Sequence, residues 1–246
     1  MSRNLTGKIE CDRRARVRLG AAYPVDTTSR THELLAEYKA SACPITVSFR
    51  QLVPWVKMGE RATHHLHHYP AKLIPQIAHF FLATDYFCRS RGVVLDPFGG
   101  TGTVALETVL SGREAVYSDA NPLASLITET KLTVMPGLDF AEIIAPIQRR
   151  YKKSRKRLSP DVVNIGKWFD VPVINSLTRL RDAIQAERCE QLRNFLLVSF
   201  SATLRKVSNA DPRLSVPVLR KDQRLSARSV DVISEFSQQL AANVKR

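Results

Sequence analysis

No apolar run in the 246-residue chain approaches the roughly 20 residues that a bilayer-spanning helix requires. Met1-Ser2-Arg3-Asn4 leads straight into charged sequence without the apolar segment of a signal peptide. A cytoplasmic protein with no membrane partner is therefore expected. Cysteine is scarce and scattered: Cys11, Cys43, Cys88 and Cys189 contain no Cys-x-x-Cys pair. That spacing supports neither a zinc knuckle nor a redox motif, and the four read as reduced thiols. No two prolines are adjacent anywhere, and there is no internal repeat. Acidic residues are in deficit, 23 Asp and Glu against 37 Lys and Arg, for a net charge of +14. Such an excess favours a polyanionic partner over a small acidic metabolite.

What remains is ordinary for a folded globular chain, with 44% hydrophobic and 24% charged residues and enough length for a real core. The charge is not spread evenly. Residues 1–148 carry 16 basic and 14 acidic side chains, whereas residues 149–246 carry 21 and 9. The densest stretch holds Arg149, Arg150, Lys152, Lys153, Arg155, Lys156 and Arg157 around Tyr151. It reads either as a solvated helix face or as a set of phosphate contacts, which would strengthen binding without choosing a sequence.

Three segments follow from the pattern. Residues 1–44 are polar and weakly periodic, an arm or irregular cap. Residues 45–138 form an α/β core, and residues 139–246 a basic, mainly helical region. Pro70 and Pro75 suggest a turn entering a helix with Ile77, Phe80, Phe81 and Leu82 on its buried side. Gly92-Val93-Val94-Leu95-Asp96 reads as a short buried strand ending at Pro97-Phe98, and Gly99-Gly100-Thr101-Gly102-Thr103 as a turn into a helix with Val104, Leu106, Val109 and Leu110 inward. A second strand from Glu114 ends at Ser118-Asp119-Ala120, and Asn121-Pro122 opens another helix. Such a β-α-β-α series predicts a parallel sheet with its ligand crevice at the carboxyl ends of the strands, where Asp96 and Asp119 fall. Beyond Pro136, Ile174, Leu177, Leu180 and Ile184 form one helical stripe. The run Phe195–Leu204 forms another, and Ile233, Phe236, Leu240 and Val244 a third.

Three glycines within four residues let backbone approach a ligand where a Cβ would collide. Asp119 follows Asp96 by 23 residues, near the roughly 20 expected of a ribose-gripping acid at the second strand end. The turn lacks the third glycine of a dinucleotide fingerprint and the Lys of a P-loop. His64, His65, His67 and His68 do not read as a metal site, because adjacent imidazoles diverge and no acid or cysteine with ligand spacing lies nearby. His32 and His79 read as ordinary loop or helix residues.

Asp96-Pro97-Phe98-Gly99-Gly100-Thr101-Gly102-Thr103 resembles the S-adenosylmethionine (AdoMet) motif of the DNA amino-methyltransferases, which methylate the exocyclic amine of adenine or cytosine. His67-His68-Tyr69-Pro70-Ala71-Lys72 is similar to the element that precedes it in that family, and Ser118-Asp119-Ala120-Asn121-Pro122 to the family's acidic second-strand end. The resemblance covers about residues 60–135 and implies an α/β, Rossmann-like AdoMet-dependent methyltransferase fold, a parallel sheet flanked by helices. It places Tyr69, Pro70, Ala71 and Lys72 on the methionine side and Asp96, Pro97, Phe98, Gly99, Gly100, Thr101, Gly102 and Thr103 in the turn beneath the cofactor. Asp119, with Ala120 and Asn121, would hold the ribose. AdoMet is the implied cofactor, DNA the implied substrate, and no metal is called for.

The family's amine-binding (Asp/Asn/Ser)-Pro-Pro-aromatic tetrapeptide is missing. Asn121-Pro122-Leu123 and Asp211-Pro212-Arg213 come nearest, and each lacks the second proline and the aromatic residue. No catalytic residue is assigned in this chain. The fold should accordingly be incomplete, one subunit of a split enzyme whose partner subunit carries the Pro-Pro-aromatic motif. Two other readings stay open: a non-catalytic AdoMet-fold protein that binds nucleic acid or regulates a partner, and an RNA base methyltransferase.

Overall fold

The computed structural model describes residues 26–53, 62–70, 72–87, 92–155, 160–211, 213–214, 216–220 and 230–245. Its contacts divide the chain into two compact units, Leu19–Thr133 and Val134–Lys245. No described helix is long and apolar enough to cross a membrane.

In the first unit, α1 (Thr28–Ser41), α2 (Phe49–Leu52) and a 3-10 turn (Ala62–His65) precede α3 (Pro75–Leu82), β1 (Val93–Asp96), α4 (Thr103–Leu110), β2 (Glu114–Tyr117) and α5 (Pro122–Leu132). Residues 28–41, expected to be irregular, are helical. Tertiary bonds hold the start of this helix, with Thr27 N donating to Ala83 O at 3.0 Å and Thr27 Oγ1 to Phe80 O at 2.7 Å. Pro75 occupies the first helical position of α3, where its fixed φ helps and its missing N–H costs nothing. Phe80 and Leu82 are buried as expected, but Phe81 is 41% exposed. The reason is that α3 turns its buried face toward α2 and α4, which leaves Phe81 at the margin, packed on Phe49 and Phe87.

The two strands pair in parallel, Val93 opposite Glu114 and Asp96 opposite Tyr117, and α4 packs against both. The parallel β-α-β unit thus stands as read, but β1 is not a buried strand. Val94, Asp96, Ala115 and Tyr117 on one face are half-buried. On the other face Val93 is 59%, Leu95 66% and Val116 46% exposed. A continuous apolar strand needs cover on both faces, and only one face is covered here. The inward side of α4 differs from expectation as well. Its buried residues are Thr103, Ala105, Leu106, Glu107 and Thr108, so of the four expected inward residues only Leu106 is buried, Val104, Val109 and Leu110 are half-buried, and a carboxylate shares the buried side.

The second unit is helical: α6 (Phe140–Lys153), α7 (Ile165–Trp168), α8 (Val171–Gln185), α9 (Glu190–Val207) and α10 (Val232–Val244). Two aspartates start helices by capping. Asp139 accepts from Glu142 N, and Asp231 from Ile233 N and Ser234 N, satisfying donors that have no partner inside a helix. Ile147, Leu180, Ile184, Leu196, Phe236 and Leu240 are buried core residues; all but Ile147 lie on the three expected stripes, of which Ile233 and Val244 are half-buried. Between α9 and α10 a polar layer is stitched shut, with Gln239 Nε2 donating to Asn243 Oδ1 and Asn243 Nδ2 to Ser199 Oγ, each at 3.0 Å.

Candidate functional site

The three motif elements meet at the carboxyl ends of β1 and β2. Ser118 N donates to Asp96 O at 3.1 Å and Gly99 N to Ser118 O at 2.9 Å, so the parallel ladder continues past the strands into the turn. Gly100 N then donates to Asp119 Oδ2 at 2.8 Å, and Asn121 N to Asp119 Oδ1 at 2.8 Å. Asn121 caps α5 by accepting from Leu123 N, while its Nδ2 donates to Tyr69 OH at 2.8 Å. Tyr69, Asn121, Asp119 and Gly100 therefore form one hydrogen-bonded chain joining residues 52 positions apart.

Two glycines have distinct reasons for being there. Gly102 (φ +70°) starts α4, and a Cβ on it would stand 2.5 Å from Thr128 Cγ2. Gly100 (φ +51°) also has left-handed backbone, but a Cβ there would meet nothing within 4 Å. One glycine is required by packing; the other borders open space. Thr128 Oγ1 lies 3.1 Å from Gly100 O and 3.0 Å from Ala124 O, tying the turn to α5.

The remaining motif residues are placed as follows. Phe98 is 88% exposed, with its N–H on Asp96 Oδ1. Pro70, Pro97 and Ala120 are exposed, Thr101 and Thr103 buried, and Ala71 lies outside the described residues. The Lys72 ammonium donates to the His64 carbonyl. Sequence reasoning missed Lys131, whose Nζ donates to Thr101 O at 2.6 Å from a buried position. Burial, reinforced by the neighbouring Lys72, pulls Lys131 down to about 7. It also missed Glu107, fully buried between His64 and His79, so His79 is not an ordinary helix residue. The visible signal was an acid within Val104-Ala105-Leu106-Glu107-Thr108-Val109-Leu110. Burial, followed by the charges of His68, Lys131 and Lys72, pushes the His67 imidazole down to about 4.

Of the basic stretch, Arg149, Lys152, Lys153 and Arg155 are exposed at the carboxyl end of α6. Their charge also suits the negative end of the helix dipole. Arg150 is half-buried, unlike these neighbours. It faces Glu187 Oε2 at 3.2 Å and donates toward Ala183 O, because its position on α6 points it at α8. Lys156 and Arg157 lie outside the described residues. Asp211, one of the near-matches to the missing tetrapeptide, has both oxygens engaged by Arg213, at 2.9 Å from Nε and 2.6 Å from Nη2. Those hydrogen bonds hold its carboxyl down at about 2.

Comparison with known proteins adds to this geometry. The chain is 28% identical over 191 residues to Type II methyltransferase M.MvaI of Kocuria varians, covering 74% of this chain and 42% of that protein. It is 29% identical over 105 residues to Type II methyltransferase M.MjaII of Methanocaldococcus jannaschii, covering 43% and 19%. The chain is a distant homologue of type II DNA methyltransferases. The matched part of this methyltransferase homologue spans less than half the length of either relative. No family model and no solved structure matches the chain.

Two predictions follow from the site. Gly100→Ala should cost about 1–2 kcal/mol, the strain of left-handed backbone alone, whereas Gly102→Ala should add roughly 1–3 kcal/mol for the collision with Thr128. Urea unfolding of both variants measures the difference, and equal losses would contradict it. The second concerns pH. His67 has a folded pKa below its unfolded value of 6.5, so between about 6.5 and 4 the unfolded chain binds the extra proton and stability falls as the pH falls. Unfolding midpoints at pH 7 and pH 5 should show this loss, and His67→Gln should shrink it.

Proposed function

We propose that this chain binds AdoMet among Tyr69, the Asp96–Thr103 turn and Asp119–Asn121, and serves a DNA methyltransferase that modifies the exocyclic amine of adenine or cytosine. The observation that carries the reading is the hydrogen-bonded chain from Tyr69 through Asn121 and Asp119 to Gly100, which joins all three motif elements at one end of the sheet. The residues suit the group. Each Asp119 oxygen spends one lone pair on a backbone N–H and keeps another for a ribose hydroxyl. Gly100 leaves open space beside the turn, and Phe98 offers an uncovered aromatic ring for a purine. Tyr69, Pro70, Ala71 and Lys72 would line the methionine side.

When bound, AdoMet supplies an electrophilic methyl group on a sulfonium. An exocyclic amine attacks it only when acceptors hold the amine protons so that the nitrogen lone pair points at the methyl carbon. Asp211 is a poor acceptor because Arg213 already engages both its oxygens, and Asn121 is held in place by the α5 cap and by Tyr69 and lacks the Pro-Pro-aromatic continuation. We therefore assign the amine-binding tetrapeptide to a second subunit. The exposed apolar face of Val93, Leu95 and Val116 and the outer edges of the sheet, which pair with no third strand among the described residues, favour further polypeptide there. Arg149, Lys152, Lys153 and Arg155 would contact DNA phosphates. The missing tetrapeptide also favours one alternative, a non-catalytic AdoMet-fold protein that binds nucleic acid or regulates a partner.

Calorimetry should show AdoMet uptake by the chain or its complex, weakened at least tenfold in Asp119→Ala; no uptake by either rejects the reading. Co-expression with a polypeptide bearing (Asp/Asn/Ser)-Pro-Pro-aromatic, followed by mass analysis of DNA nucleosides, should reveal methylated adenine or cytosine that the chain alone does not produce. Methylation by the lone chain would refute the two-subunit form, and a complex that binds AdoMet and DNA without methylating selects the alternative. For the DNA surface, the combined Lys152→Gln, Lys153→Gln and Arg155→Gln variant should bind duplex DNA more weakly and flatten the log–log salt dependence by about 0.9 per lost contact. Arg150→Gln should leave that slope unchanged and lower the unfolding midpoint.

A further inference from the structure

The buried acid of α4 has no part in the reading above, yet it joins the segment before Tyr69 to the helix that follows the glycine turn. Glu107 is fully buried. Its Oε1 lies 2.8 Å from His64 Nε2 and its Oε2 3.4 Å from His79 Nδ1, and both imidazoles are also buried. His64 Nδ1 is buried without a hydrogen-bond partner among the described residues. The economical tautomer therefore carries its proton on Nε2 and donates it to the carboxylate, since a proton on Nδ1 would be a buried donor with nothing to receive it. Burial lowers the His64 pKa, against the pull of Glu107, in keeping with a neutral ring.

Two further bonds radiate from the same short turn, and a third carries one of them on to the glycine turn. The His64 carbonyl accepts from Lys72, closing the stretch that contains Tyr69. Thr63 Oγ1 donates to Lys131 O at 2.8 Å, and the ammonium of that lysine donates to Thr101 O in the glycine turn. The 62–65 turn is thus pinned to α4 through Glu107 and to α5 and the glycine turn through Lys131. The 3.4 Å separation from His79 makes that contact the weaker of the two and His64 the principal anchor.

A leucine at 107 would match the apolar residues on either side of it. A buried ion pair or network replaced by apolar side chains of similar volume is often neutral or favourable for stability. What leucine lacks is direction, because a hydrogen-bonded carboxylate fixes where its partners stand.

We propose that Glu107 is a positioning residue: by holding His64 it sets the segment leading to Tyr69 and Lys72 against the glycine turn, so that AdoMet uptake depends on a side chain that never touches the cofactor. This rests on the AdoMet reading above. Glu107→Leu removes the link while filling the space. Glu107→Gln keeps an acceptor for His64 and, through its amide N–H, a donor for the other His79 tautomer. In full-length Glu107→Leu the unfolding midpoint should stay within a few degrees of wild type. Hydrogen exchange at amides 63–69 should quicken at least tenfold with no change in α8–α10, and the AdoMet Kd should rise at least tenfold. Glu107→Gln should restore both to within about threefold.

Unchanged exchange at 63–69 in Glu107→Leu, or a loss of affinity that Glu107→Gln shares in full, overturns the proposal. Should Glu107→Leu not fold, His64→Phe cuts the same link from its other side, and wild-type exchange in that variant is equally fatal. Failure of the wild-type protein to bind AdoMet refutes the cofactor reading instead, and the exchange measurements still decide the role of Glu107.

Discussion

The Asp119 carboxylate is the point on which the site depends. One oxygen takes the Gly100 N–H and the other the Asn121 N–H, so a single side chain beyond β2 fixes the turn beyond β1 and the start of α5. Gly100 sits at positive φ, a conformation that backbone bonds from Gly102 N to Gly99 O and from Gly99 N to Ser118 O support from either side. Without the aspartate the turn keeps its glycines but loses the acceptor that selects their arrangement. Because a carboxylate has about four acceptor positions, acting as a strut leaves it able to bind a diol as well.

Around this half-buried acid lies a second, more deeply buried layer of ionisable groups: Glu107, His64, His79, Lys131 and the half-buried Lys72. Charges in such surroundings cost several kcal/mol each, about the scale of a domain's whole margin, unless hydrogen bonds compensate. Each ammonium here ends on a backbone carbonyl, and Glu107 is met by imidazole nitrogens. The compensation is directional, which an apolar core is not. That directionality explains how the short 3-10 turn Ala62–His65 and the residues after it can hold Tyr69 within hydrogen-bonding reach of Asn121.

Local signals in the sequence carried the β-α-β unit and the site's backbone. Proline at the openings of α3 and α5, Asn121 as a cap, and glycine at the turn each act within a few residues of where they stand, so a single chain displays them. The same holds for the Ile174–Ile184 stripe. Properties set by distant partners were not legible. Glu107 stood out as an acid in an apolar helix, but its histidines lie 43 and 28 residues away and nothing local announces them. Arg150 looks like its basic neighbours in sequence, and only the packing of α6 on α8 sends it to Glu187. Val93 and Leu95 read as core residues because β-branched and aliphatic strands usually are core. Whether a second layer covers them is a matter of tertiary arrangement.

That uncovered face bears on the chemistry more than on stability. Val93, Leu95 and Val116 project from strands whose carboxyl ends carry the Asp96 turn and Asp119, so anything that packs on the face or pairs with the open edges lies beside the candidate site. A methyl transfer needs its proton acceptors held to within a fraction of an ångström of the productive geometry, and elements of the same sheet give that precision better than a tethered loop does. On the reading proposed above, polypeptide that packs on this face or pairs with the sheet's edges would lie where the proton acceptors of the target amine are needed.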